Sequence, residues 1–273
     1  MKYALLFLVL QTTTNGALIW SSNFETDPVT PDNLEGQNGD WLTDPVGTSS
    51  IAVIANTGLG VPATYGTKSL AIGGVAPVGE TEAGVAYVVS PVAALFTPAG
   101  LVTEAVFSAD MIFSSAGNLT NDFLFTFFNS GNTDLARLLF TASTDNITVA
   151  VYRSNTTAVT DTQFTFSRNT AVELKLVMNL ELNKWTGTIG AAGAANPITL
   201  FANVDMKAPA APTTKDLAGF QVSWLKRSPT DPWGDNYLIL DNLSLTSQVP
   251  VPEPSSLLLV CGFSLVALLR RAR

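Results

Sequence analysis

The feature that most constrains this chain is a succession of short β-branched and aromatic runs, separated by Gly, Pro, Asn and Asp, from residue 18 to 246. In residues 172–178 the even-numbered positions are apolar, whereas Glu173 and Lys175 are charged. This alternation is typical of a strand with one buried face. Such runs recur about every ten residues without a comparable helical pattern, which predicts an all-β, antiparallel two-sheet sandwich. The predicted strands are 51–55, 85–90, 105–113, 123–129, 147–153, 163–167, 172–179, 185–190, 220–225 and 237–245.

Residues 18–246 contain no proline-rich linker or repeat, so we predict a single sandwich domain. Asn183 and Lys184 are suited to a turn between two strands. The Ala/Gly-rich stretch 190–196 and the proline-containing stretch 207–215 are predicted to be surface loops.

The composition excludes several classes of function. The 273 residues include no histidine and one cysteine, Cys261, so the sequence predicts no intrachain disulfide, no histidine-dependent catalytic triad and no histidine-ligated zinc. The formal charge is −8 and no basic stripe offsets it, so we expect no binding to nucleic acid.

The N-terminal segment has the order of features found in secretion signals. Lys2 precedes an apolar run over residues 4–10, and small and polar residues fill 11–17. We predict a helical signal peptide over residues 1–17 with cleavage after Ala17. The alternative is that this segment is a core strand.

The C-terminal segment predicts a single membrane helix. Residues 255–269 carry no charge, and the prolines just before them prevent a helix from starting earlier. These residues reach only ~22 Å as a helix, against a hydrocarbon core of ~30 Å, and arginine side chains can close part of that gap. The positive-inside rule places the terminal arginines in the cytoplasm and the body across the membrane. These arginines are Arg270, Arg271 and Arg273.

The tail resembles the PEP-CTERM sorting signal of Gram-negative bacteria, in which a Pro-Glu-Pro motif precedes a hydrophobic segment and a basic end. The motif region here is Val251, Pro252, Glu253, Pro254 and Ser255. It lies where a predicted linker over 247–254 meets the predicted membrane segment with its basic tail, 255–273. The resemblance implies processing by an exosortase near the motif and delivery from the membrane to the cell surface or exopolysaccharide matrix. It implies nothing about the body. The alternative is a simple tail anchor.

The first and last runs of the body resemble the terminal strands of concanavalin A-like or galactose-binding-like jelly rolls. These runs are residues 19–25 and 238–245. The resemblance implies that the two strands lie side by side and that Glu25 and Asp241 bind a structural calcium ion. The Asp/Asn-rich loop 231–236 could supply further oxygens. Alternatively, both acids are solvated or paired with basic groups.

Aromatic side chains are the candidates for carbohydrate binding, because the C–H faces of sugars stack on flat rings. We select Trp233, which lies in a turn-rich polar loop, together with Tyr237 and Trp41. The alternative for each tryptophan is a buried anchor of its loop.

A glycosidase would need two carboxyl groups about 5–10 Å apart. Glu104, Asp110, Glu173 and Glu181 lie on or beside predicted strands without forming a dense acidic motif, and we assign no catalytic residue. The sequence therefore favours a non-enzymatic surface protein that contacts polysaccharide or neighbouring proteins. A polysaccharide-active glycosidase or lyase and a structural coat or adhesion subunit are the alternatives.

Overall fold

The computed structural model describes residues 17–25, 41–44, 50–77, 82–93, 104–114, 117, 121–143, 146–153, 157–159, 165–191, 194–206 and 215–248. Within these ranges the chain forms sixteen strands and one short 3-10 turn, Ala63–Tyr65. The strands are β1 (Ala17–Ser22), β2 (Trp41–Asp44), β3 (Ile51–Ala55), β4 (Lys68–Gly73), β5 (Glu82–Ala93), β6 (Glu104–Ser114), β7 (Asn121–Phe128), β8 (Asp134–Ala142), β9 (Asn146–Arg153), β10 (Thr157–Val159), β11 (Thr165–Ser167), β12 (Val172–Asn179), β13 (Lys184–Ala191), β14 (Ile198–Asp205), β15 (Asp216–Lys226) and β16 (Tyr237–Gln248).

The strands form two antiparallel sheets. Sheet A has the order β14-β13-β12-β6-β16-β4-β3, and β1 pairs with the second half of β16. Sheet B has the order β10-β9-β8-β7-β15-β5-β2, and β11 pairs with one end of β9. The central strands of each sheet therefore come from distant parts of the sequence.

Alternate residues of the strands of both sheets fill one shared core. Phe107 of sheet A packs between two rings of sheet B, with its centroid 5.1 Å from that of Phe127 and 4.9 Å from that of Phe220. All three side chains are buried. The opposite side of each sheet, which we call its outer face, carries the residues between these core positions.

The predicted all-β, antiparallel two-sheet sandwich is confirmed, and each predicted strand overlaps an observed one. The implied pairing of the first and last strands is also confirmed, since β1 pairs with β16. Asn183 has φ 55° in the turn from β12 to β13, as the sequence predicts.

The sequence prediction missed several strands, including β4, β8 and β14. Leucine, alanine and arginine dominate β8, and these residues favour helix in isolation. Pairing with β7 and β9 fixes this segment as a strand, so tertiary context overrides local preference.

The predicted sorting motif and membrane helix lie outside the described residues, as does the predicted signal peptide apart from Ala17, which begins β1. The first two residues of the predicted linker, 247 and 248, belong to β16. Across the ranges that the structure describes, no helix is long and apolar enough to cross a membrane.

Candidate functional site

Trp233, the first of the predicted sugar-binding aromatics, lies in the loop between β15 and β16 and packs against the core. Its ring centroid lies 4.4 Å from that of the fully buried Trp224. Lys226 Nζ lies 5.3 Å from the Trp233 centroid. The Trp233 ring therefore covers part of the core beside a protein cation, and a sugar contact at this ring stays a prediction.

The other two predicted aromatics lie on different sheets. Tyr237 begins β16 in sheet A and packs against a small cluster on the outer face, formed by Tyr65, Ile112 and Ile239. Trp41 begins β2 in sheet B opposite Tyr87, and its side chain lies outside the described part of the chain. Tyr237 and Trp233 pack against different clusters, so the structure does not bring these two together.

Glu25, a predicted calcium ligand, is bound to the start of β4. Its carboxylate accepts hydrogen bonds from Thr67 N at 2.7 Å, Thr67 Oγ1 at 2.6 Å and Lys68 N at 3.1 Å. Lys68 Nζ donates to the Glu25 carbonyl oxygen at 2.9 Å. The Thr67 side-chain hydrogen bond is the main reason that the pKa of Glu25 is lowered. Protein donors thus occupy oxygens that calcium would need, and ligation by Glu25 stays a prediction.

Asp241, the other predicted ligand, belongs to a row of acids on the outer face of sheet A. Strand register places Asp241 opposite Asp110, and Asp110 opposite Glu173. Asp241 is 0% exposed and Asp110 is 9% exposed. Asp241 accepts hydrogen bonds from Ser69 Oγ at 3.0 Å and from Asn242 N at 2.6 Å. The structure therefore pairs Asp241 with a carboxylate that the sequence did not connect to it.

Burial dominates the electrostatics of this row. Burial, with smaller contributions from the charges of Glu25 and Asp110, raises the pKa of the Asp241 carboxyl to about 7, against the hydrogen bonds from Asn242 and Ser69, which lower it. Burial is also the main reason that the pKa of Asp110 is raised, and the charge of Glu173 adds to it. Within the described ranges no group of three or more acidic, histidine or cysteine side chains is placed to hold a metal ion.

The acids considered for hydrolysis lie in two places. Asp110 and Glu173 are neighbours in the row, and Ser108 Oγ donates to Glu173 Oε1 at 3.2 Å. Glu104 lies at the start of β6, six residues from Asp110, and Glu181 binds Lys215 Nζ at 2.7 Å beyond the end of β12. Since Asp110 is almost fully buried, its closeness to Glu173 does not provide a pair of carboxylates open to a sugar chain.

The outer face of sheet B carries a polar row beside an apolar one. Register places Arg137 of β8 opposite Thr126 of β7, and Thr126 opposite Gln221 of β15. These residues alternate along their strands with core residues such as Phe125 and Val222. The three polar side chains therefore extend across adjacent central strands.

The neighbouring row contains apolar side chains and one serine. Leu139 of β8 lies opposite Leu124 of β7, which lies opposite Ser223 of β15. Gln221 Nε2 donates to Ser223 Oγ at 3.0 Å and links the two rows. Ser223 is only 4% exposed, and Thr126 of the polar row is 7% exposed.

Arg137 is the cationic member of the polar row. Its side chain is 32% exposed, and its Nη2 forms an ion pair with Asp134 Oδ2. Its Nε is buried and has no hydrogen-bond acceptor within the described structure. The exposed part of this guanidinium can donate to an oxygen of a ligand.

Comparisons with known proteins identify the fold alone. No protein-family model matches the chain, and no curated protein sequence matches it. The structure is similar to the PL-14 alginate lyase from Aplysia kurodai, with a TM-score of 0.56 and 12% identity over 86% of this chain and 100% of the lyase. It is also similar to the GH131 β-glucanase catalytic domain from Podospora anserina, with a TM-score of 0.54 and 12% identity over 85% of this chain and 97% of that domain. The seed lectin of Lotus tetragonolobus matches at a TM-score of 0.46 and 12% identity, over 86% of this chain and 100% of the lectin.

Sequence reasoning missed the polar row and the partner of Asp241. Gln221 and Ser223 alternate with Phe220, Val222 and Trp224, a pattern that predicts a polar outer face without showing which strands lie beside it. A charged residue inside the apolar run 105–113 marks Asp110 as unusual, but only the fold shows that it lies opposite Asp241.

Proposed function

We propose that this chain is an exported, surface-anchored protein whose sandwich binds an extracellular polysaccharide on the outer face of sheet B. The observation that carries the proposal is the row of Arg137, Thr126 and Gln221 next to the apolar row on three central strands. Sugars present hydroxyl groups and apolar C–H surfaces together, so adjacent polar and apolar rows suit them. Arg137 supplies charge-assisted hydrogen bonds for hydroxyl or carboxylate oxygens.

The tail supports the proposed location. The resemblance of residues 252–254 and the following segment to a PEP-CTERM signal is the reason to propose an exosortase as processing partner. In this proposal the membrane anchors the protein before it reaches the surface or matrix of a Gram-negative cell. An extracellular polysaccharide would then surround the sandwich.

A polysaccharide-active enzyme is the second candidate, because two of the similar structures, with TM-scores above 0.5, are named as an alginate lyase and a β-glucanase. Two carboxylates described on sheet B are engaged by arginines. Asp122 Oδ1 accepts a hydrogen bond from Arg227 Nε at 2.7 Å, and Asp134 pairs with Arg137. These contacts support binding over hydrolysis, since a catalytic carboxylate must reach the reacting bond.

Affinity electrophoresis of the purified full chain in gels containing alginate, β-glucan or dextran tests the proposal. We expect at least one polymer to retard the wild type. We also expect Gln221→Ala and Arg137→Ala to weaken that binding about five-fold or more, since each removes hydrogen bonds to the ligand. Lys175→Ala on the outer face of sheet A is the matched control and should bind like the wild type.

Absence of retardation by every polymer would contradict the proposal, as would equal losses in the Lys175 control. Incubation of the same preparation with each polymer distinguishes the second candidate. New reducing ends or unsaturated sugar ends that accumulate with time would favour an enzyme, whereas an unchanged polymer would favour binding.

A further inference from the structure

The described part of the chain begins and ends at the same side of sheet A. Ala17, the first residue of β1, pairs with Ser247 near the end of β16. Six residues, 249–254, separate β16 from the predicted membrane segment. Because a fully extended chain spans at most ~3.5 Å per residue, this connection reaches only ~20 Å. An anchored chain would therefore hold this side of the sandwich, which we call the exit end, close to the bilayer.

The exit end carries the two most exposed large apolar side chains of the described residues. Leu18 in β1 is 63% exposed, and Leu182 in the turn from β12 to β13 is 61% exposed. Strand register places that turn at the exit end, because Gln248 pairs with Glu104 and Glu104 pairs with Asn179. Single exposed apolar side chains are common, and these two are distinguished by their place beside the exit of the chain.

The turn that carries Leu182 is held by hydrogen bonds on both sides. The Leu182 backbone N–H donates to Asn179 Oδ1 at 3.0 Å. The Asn183 carbonyl oxygen accepts a hydrogen bond from Met206 N at 3.0 Å. Leu180 is 2% exposed and packs in the core. The turn therefore fixes Leu182 on the surface instead of allowing it to fold back onto the core.

Two ion pairs flank Leu182 and balance the charges beside it. Lys215 Nζ donates to Glu181 Oε1 at 2.7 Å. Lys184 Nζ lies 2.5 Å from Asp205 Oδ1. The chain carries a formal charge of −8, and lipid phosphates would repel unpaired acids at this place. Since both acids are paired, that repulsion is small, and the lysine stems can cover apolar surface while their ammonium groups stay in water.

On the outer face of sheet A, an uncharged row separates the polar edge of the exit end from the row of acids. The uncharged row contains Leu18, and its other members include Thr246, Val106 and Val177. The edge carries Glu104 and Lys184 on either side of Asn179. Asp110 lies two rows beyond the uncharged row along β6. The uncharged part of this face therefore lies beside the exit of the chain.

We propose that the exit end lies on the lipid surface while the chain is anchored, with Leu18 and Leu182 inserted among the headgroups. This inference rests on the membrane anchor of the proposed function. Each leucine contributes little by itself, but the anchor holds both beside the bilayer at a high effective concentration. The strands of sheet A then rise from the membrane, because the exit end is one end of these strands. The outer face of sheet B thus stays open to a polymer from the side.

Fluorophores at single cysteines in the full chain, reconstituted into phosphatidylcholine vesicles, test the proposed contact. Cys261 is the chain's only cysteine, so Cys261→Ser provides the background. Lipids that carry a nitroxide at the headgroup should quench labels at Leu18→Cys and Leu182→Cys about three-fold more strongly than the control labels. The matched controls are Val75→Cys and Ile198→Cys, which replace residues that are 50% and 52% exposed at the opposite end of sheet A.

Flotation of the same vesicles separates this contact from the anchor on which it rests. Leu182→Ser should still float and should lower the quenching of the label at position 18 about two-fold, because one of two lipid contacts is gone. A chain that does not float would contradict the anchor and the contact together. A chain that floats with equal quenching at all four labels would overturn the contact alone. Shielding of the two labels from aqueous iodide without nitroxide quenching would indicate a contact between copies and would also overturn it.

Discussion

Asp110 and Asp241 face each other across β6 and β16, although 131 positions separate them in the chain. Both carboxyl groups are buried, and burial raises both pKa values. The sheet thus holds two acids of like charge against each other on its outer face. Because of this arrangement, we expect the contribution of Asp241 to the free energy of unfolding to fall as the pH rises.

The pH prediction follows from the sign of the shift at Asp241. Its pKa rises from the ordinary aspartate value of 3.8 to about 7 in the folded state, so folding favours the protonated form. Between these values the unfolded chain binds fewer protons, and the contribution of Asp241 to stability falls as the pH rises. In EDTA, Asp241→Asn should therefore gain more Tm relative to the wild type at pH 8 than at pH 5. An equal difference at both pH values would contradict the shift.

Gly73 at the end of β4 is predicted to be intolerant of a side chain. Its φ is 102°, and a Cβ atom there would lie 2.6 Å from the Asn236 carbonyl oxygen. Gly58 has φ 83° but no atom within 4 Å of the same position. Gly58→Ala should cost only the backbone strain of about 1–2 kcal/mol, whereas Gly73→Ala should cost clearly more. Urea unfolding of both variants measures the difference between their losses of unfolding free energy. Equal losses would show that the close approach of the added Cβ atom to the Asn236 carbonyl oxygen is unimportant.

The main role that we predict for Trp233 is to pack against the core. Trp233→Ala uncovers the buried Trp224 ring and should cost about 2–4 kcal/mol of unfolding free energy. If the polysaccharide binds on the outer face of sheet B, the same variant, where folded, should keep its affinity for the polysaccharide within about two-fold. An unchanged Tm together with a large loss of affinity would instead place a sugar on the Trp233 ring.

The mass of the protein isolated from the surface of its own cells tests whether the predicted signal peptide and sorting tail are removed. We expect the mature form to lack both Met1 and Arg273, because the first segment resembles a signal peptide and the last a sorting signal. Mass spectrometry gives both ends in one measurement. A surface form that retained Arg273 would contradict processing near Pro254.

The sequence predicts those parts of the fold in which local pattern and long-range structure agree. The alternation in Val172–Asn179 matches the observed burial of β12, and Asn183 occupies the positive φ that its turn requires. The pattern fails at Asp134–Ala142, where leucine, alanine and arginine carry little preference for a strand. There, pairing with the neighbouring strands β7 and β9 stabilises the strand that the local sequence does not favour.

The candidate sites were less predictable, because each depends on strand register. The resemblance to jelly rolls selected Asp241 and implied its neighbouring first strand, but the bulge at Asn242 and the pairing with Asp110 follow from the assembled sheet. Likewise, Arg137, Thr126 and Gln221 come from three strands that are distant in sequence. A one-residue change of register would move any of them to the core side.

The most direct measurement of the polysaccharide proposal is a methyl NMR titration of the full chain with an oligosaccharide of the polymer that it binds. Leu124 and Leu139 lie on the outer face of sheet B, and Val106 and Val177 lie on the outer face of sheet A. We predict that the leucine methyl signals shift with the ligand and that the valine signals do not. Shifts confined to the valines, or no shift at saturating ligand, would contradict a binding face on sheet B.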